Sequence, residues 1–169
     1  MASTTRSGAA AGPFVVGSED GEAIWFINAL VQIKTDAADS GGSMTIVDHL
    51  APAGFETPFH RHNAEDETFY VLKGSIECRS GDEGHERTTA GPGDTVWLPR
   101  GVPHGFRVLG DDPCRMLIVL TPGGFEGFFR AVGEPAPSLT LPPQSEPDVE
   151  ALTALAEPYD LDILGPLPQ

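Results

Sequence analysis

Between Phe14 and Leu120 the chain alternates short apolar runs with turn-forming clusters. The runs are EAIWFINALVQI, SMTIVDHL, TFYVL, IECRS, TVWL, FRVL and CRMLIVL, divided by DAADSGG, APAG, KGS, GDEG, GPGD, PRGVPHG and GDDP. Runs this short, broken so often by Gly, Pro and Asp, cannot sustain a helical period and read as strands. Many strands with regular breaks predict an all-β sandwich or barrel. No internal repeat of solenoid length is visible.

The pattern changes after Thr121-Pro122-Gly123-Gly124. In FEGFFRAVG, Phe125, Phe128 and Phe129 recur at helical spacing and Gly133 follows as a stop, so one short helix is expected. The next stretch, EPAPSLTLPPQSEPD, carries five prolines and must be extended or irregular. A second helix is expected from Asp148 to Ala156, with Asp148 as N-cap and Val149, Leu152 and Leu155 on one face. Both helices should pack outside the β core, with the phenylalanines as core residues rather than substrate contacts. The expected organisation is a disordered lead over residues 1–13, a β domain over 14–122 and a helical, proline-rich extension over 123–169.

A length of 169 residues suits one domain plus tails. Ten Lys and Arg against 25 Asp and Glu give a net charge of -15, which disfavours nucleic acid or an anionic membrane as partner. Cys78 and Cys114 are too few for a disulfide framework and form no CxxC pair. With no signal-like apolar stretch and no membrane span in the sequence, a reduced, cytoplasmic setting is expected.

The candidate chemistry lies in GFETPFHRHNAEDETFYVLKG, residues 54–74. His60 and His62 are one residue apart, so on an extended strand they face the same way. Glu67 opens the next strand and shares a face with Phe69 and Val71, whereas Glu65 and Asp66 sit in the loop and read as solvated charges. Downstream, GDTVWLPRGVPHGF uses Pro99, Gly101 and Pro103 to form a stiff loop that delivers His104. His49, alongside Thr45 and Val47, reads as a non-ligand, His85 as exposed, and both cysteines as buried inert thiols.

These two segments resemble the paired motifs of the cupin family. The first has Gly54, five residues, His60-x-His62, four residues, Glu67, six residues, Gly74; the second has Gly93, five residues, Pro99-x-Gly101, two residues, His104. The family's second motif continues through three residues to an asparagine, and this chain has Val108 there. The order of the remaining segments resembles small bacterial single-domain cupins grouped with quercetin 2,3-dioxygenase.

The resemblance implies a single-cupin, jelly-roll β-barrel whose His60, His62, Glu67 and His104 bind one divalent transition metal: Fe, Ni, Co, Mn, Cu or Zn. Three imidazoles and a carboxylate without thiolate suit such ions. It further implies cleavage of an aromatic or enolisable substrate by O2, with Glu67 as general base and a pocket drawn from Phe55, Phe59, Phe69, Val71, Trp97 and Phe106. Two alternatives stand beside it: a metal-dependent cyclase or isomerase of polyketide-type ketones, and a non-catalytic small-molecule-binding cupin. Single-domain cupins are often homodimers, and the 14–34 segment is a candidate pairing edge.

Overall fold

The structure is a computed structural model that describes residues 12–169, so most of the expected 1–13 lead lies outside the described residues. The alternating runs form strands, as in β10 (Cys114–Thr121), where alternate residues are buried along the whole strand. In chain order the elements are β1 (Glu22–Phe26), β2 (Ala29–Thr35), α1 (Ala37–Ser40), β3 (Thr45–Ala51), β4 (Phe59–His62), β5 (Asp66–Lys73) and β6 (Ser75–Ser80). There follow β7 (Glu86–Ala90), β8 (Thr95–Leu98), β9 (His104–Leu109), β10, α2 (Glu126–Val132), β11 (Glu134–Pro135), α3 (Val149–Ala156), one 3-10 turn and β12 (Leu161–Gly165).

The strands make two antiparallel sheets, in the orders β11-β1-β2-β3-β10-β5-β8 and β12-β4-β9-β6-β7. This is the all-β, jelly-roll arrangement, though the sheets face each other without closing into one continuous barrel. Val47, Phe69, Val71, Ile76, Phe106, Met116 and Ile118 lie in the core between them. Gly74 makes the reversal from β5 to β6 at φ +79°, where a Cβ would lie 2.9 Å from the Cα of Cys114. Only glycine meets both constraints. Among the described residues no helix is long and apolar enough to cross a membrane.

Three expectations are corrected. The 14–34 segment is not a free edge: β2 is interior to its sheet, and β1 pairs with β11 through Ile24–Pro135 and Trp25–Glu134. On α3 the buried residues are Leu152 and Ala156, one turn apart, while Val149 and Leu155 are exposed; Asp148 does cap the helix by accepting from the Ala151 amide. After that helix the chain forms β12, which adds to β4 by pairing Leu161 with His62 and Ile163 with His60. A short LDILG run at the end of a helix gives little local signal. Its partner is an open strand about a hundred residues earlier, and that long-range pairing makes it a strand.

The C-terminal helices pack on each other, α2 also against β1 and α3 against β12. Buried Glu126 fixes the start of α2, accepting from the amides of Ala37 and Gly124, each at 2.9 Å, and from the Thr45 hydroxyl. Phe125, Phe128 and Phe129 then project into the core.

Candidate metal centre

His60 and His62 are on β4, Glu67 is on β5 and His104 opens β9, paired directly with His60. The loop before His104 is held in two places. The amide of Gly101, at φ +80°, donates to the His62 carbonyl at 2.7 Å. Asp66 accepts from the Arg100 amide at 2.9 Å and from its guanidinium at 2.9 and 3.1 Å. These bonds hold the Asp66 carboxyl down to about 2. Asp66 is therefore a loop fastener rather than a solvated charge.

One ligand atom from each of His60, His62, Glu67 and His104 lies within 4.8 Å of all the others. Tautomers follow from the outer contacts. His60 Nδ1 is 2.8 Å from the Pro58 carbonyl and His104 Nδ1 is 2.9 Å from the Val102 carbonyl. A carbonyl only accepts, so each Nδ1 carries hydrogen and each Nε2 turns a lone pair inward. There they meet Glu67 Oε2, which is 3.2 Å from His104 Nε2 and 3.8 Å from His62 Nε2. Lone pairs facing a carboxylate in a buried site repel one another unless a cation or proton lies between them.

Protonation suits a cation. Burial, followed by the neighbouring His104 and His62, pushes His60 down to about 3. Burial would raise Glu67, but the three imidazoles around it, His104 nearest, outweigh burial and hold the carboxyl down to about 2. Near neutral pH the site thus offers a neutral imidazole and a carboxylate, the forms that bind a metal. The donor set fits a divalent transition ion, and the outer hydrogen bonds are those that orient histidine ligands.

Glu65, expected as a solvated loop charge, is instead buried at 7% exposure. Its Oε2 is 3.6 Å from His62 Nδ1, and neither atom has a hydrogen-bond partner among the described residues. The spacing of three between His62 and Glu65 was the available signal, and it is weak alone. Elsewhere, burial pushes the Cys78 thiol up to about 12 and Cys114 to about 11, while His85 is exposed and pairs with Glu83.

The cluster opens on an apolar cavity. Of the expected pocket residues, Phe55, Phe69 and Phe106 line it. Trp97 does not: Val96 and Leu98 face inward, so Trp97 points out of β8 and is 59% exposed. Phe59 has the opposite parity from His60 and packs toward Gly84 near Pro168, and Val71 is core outside the lining. Much of the remaining wall comes from Phe125, Phe128 and Phe129, with Leu152, Leu161 and Ile163. The three phenylalanines are thus core residues and cavity wall together. Phe125 sits edge-on to His62, with ring centroids 4.5 Å apart.

Residues 46–120 match the family profile described as cupin domain. Over this segment the chain resembles a cupin domain. Beyond it, the chain is 29% identical over 157 residues to quercetin 2,3-dioxygenase of Bacillus subtilis, a match that covers 91% of this chain and 45% of that protein. It is 40% identical over 91 residues to dimethylsulfoniopropionate lyase DddQ of Ruegeria pomeroyi, covering 54% of this chain and 39% of the lyase. The chain spans less than half the length of either relative. Among solved structures, KdgF from Halomonas sp. superposes with a TM-score of 0.51 at 22% identity, over 59% of this chain and 84% of that one, which supports the fold.

Proposed function

We propose that this protein is a metal-dependent cupin dioxygenase that cleaves an aromatic or enolisable substrate with O2. The observation that carries the reading is the convergence of three imidazoles and Glu67 at one end of an aromatic-walled cavity. His60, His62, Glu67 and His104 would hold one divalent ion. Such an ion, when bound, supplies Lewis acidity to a substrate oxygen and, with a redox-active metal, access to O2. Glu67 receives the substrate proton. A carboxylate beside the ion is suited to take the proton of a phenol or enol whose oxygen the ion would bind. The deprotonated substrate is the electron-rich partner that O2 oxidises, with both oxygen atoms entering the products. Phe55, Phe69, Phe106 and Phe125 orient the ring and exclude water.

A second reading is metal-assisted elimination or isomerisation without O2. The cavity favours it by size, at about 70 Å³. That is half the roughly 150 Å³ of a cavity that binds benzene. A flavonol enters only if the α2–α3 wall moves aside; a small acyclic substrate needs less room. The likeness to the lyase points the same way. Oxygen uptake on quercetin by the metal-loaded protein separates the two. Uptake that Glu67→Gln abolishes supports the dioxygenase, and product formation from any substrate under nitrogen contradicts it.

The same proposal includes domains divided near residue 122, a cytoplasmic setting and a homodimer. Two buried, protonated thiols fit a reducing compartment. On the edge of the larger sheet, exposed Trp97 is diagonal to exposed Tyr70, with exposed Leu72 two residues further along β5, a face suited to a second copy. Light scattering on Trp97→Glu tests it.

A further inference from the structure

Apart from the metal cluster, the polar residues lining the cavity are Thr57 and His49. Thr57 is engaged, its hydroxyl accepting from the Phe106 amide at 3.0 Å. His49 is 4% exposed, and its Nδ1 has no hydrogen-bond partner among the described residues. A core histidine retained only for packing would have that nitrogen satisfied, because a buried unpaired donor or acceptor is costly. An unmet nitrogen on a buried side chain that lines a cavity points to a ligand.

The register sets His49 along the sheet from the level of Glu67, outside the metal cluster. On β10, Leu120 is opposite Glu67 of β5 and also Thr45 of β3, whereas His49 is opposite Met116, four residues along. Four residues of strand are about 13 Å. Aromatic rings fill the interval: Phe106 is 6.0 Å from His49 and 5.4 Å from Phe69, centroid to centroid. The cavity is thus largely apolar, with the metal cluster and His49 as separate polar groups in its wall. Burial pushes His49 down to about 4, so near neutral pH it is uncharged, with one nitrogen donating and one accepting. A hydroxyl, which does both, is its natural match.

We propose that His49 is a second polar anchor, hydrogen-bonding a hydroxyl on the substrate end remote from the metal centre. It selects compounds that carry oxygen at both ends, a ring compound entering as the α2–α3 wall moves aside. The proposal rests on the reading that the metal cluster takes the other end through oxygen.

Two pyrones test it on the full chain loaded with zinc, which binds without redox turnover. Kojic acid carries a chelating hydroxyketone and a hydroxymethyl group across the ring; 5-hydroxy-2-methyl-4-pyrone has the same chelating end and lacks the remote hydroxyl. Affinities are measured by calorimetry for the parent, His49→Leu and His49→Gln, and the His49 nitrogens are followed by 15N NMR. The parent is expected to prefer kojic acid by about 10- to 100-fold, as an unmet buried polar group implies. His49→Leu should remove that preference with the methyl pyrone bound as before, His49→Gln should restore part of it, and kojic acid should shift the His49 Nδ1 resonance. Binding of both pyrones with equal affinity in the parent, or a preference that survives in His49→Leu, overturns the role of His49 and leaves the metal reading intact. If His49→Leu fails to fold, the Gln variant and the NMR shift decide. Failure of both pyrones to bind the loaded parent overturns the metal reading and the His49 role together.

Discussion

Glu65→Gln keeps the shape of a buried side chain and removes its charge, which makes it a sharp probe of the second layer of the site. Glu65 Oε2 and His62 Nδ1 are 3.6 Å apart and both lack a partner among the described residues. They stand about 0.5 Å beyond hydrogen-bonding range. A cation on Nε2 strengthens Nδ1–H as a donor and draws the pair together. Losing such a carboxylate typically weakens metal affinity 10- to 100-fold, about 1.4–2.7 kcal/mol. Without metal the sign reverses, since the variant no longer buries a carboxylate with an orphan oxygen and should be at least as stable as the parent. Competition against a chromophoric chelator gives the affinity, and thermal unfolding with and without zinc gives the stabilities. A metal Kd unchanged within about twofold, with a metal-free variant less stable than the parent, would refute the reasoning.

Three further outcomes are expected. His49 is held at about 4 against an ordinary 6.5, so the unfolded chain takes up this proton first; stability falls as pH drops from 6.5 toward 4, by on the order of 3 kcal/mol in all. Urea unfolding of metal-free protein at pH 7 and 4.5 should show a smaller loss for His49→Leu than for the parent. Phe125→Ala removes a buried ring from the cavity wall and should cost about 3–5 kcal/mol while speeding metal release to a chelator, measured by denaturation and stopped flow. Gly101→Ala puts a Cβ into open space at φ +80°, so its cost is backbone alone, about 1–2 kcal/mol by denaturation.

The strands and the four clustered residues were legible because they depend on local signals: period-two alternation, glycine at turns, and a histidine pair on one strand. What escaped depends on partners distant in sequence. Alternation shows that TVWL has two faces but not which is inside, and Trp97 fell on the outer one. β12 exists because β4 has an edge to fill, a fact absent from LDILG itself. Glu65 and Asp66 look alike in the sequence; Arg100 takes one and His62 faces the other. His49 was read correctly as lying outside the cluster, yet its unpaired nitrogen shows only once the cavity around it is assembled.

The most direct test of the account is the metal content of the purified protein beside His62→Ala, before and after incubation with excess cobalt or zinc and desalting. Near one transition ion per chain in the parent, and none retained by the variant, is the predicted result. A parent that stays metal-free after loading, or a His62→Ala variant that retains metal as the parent does, would contradict it.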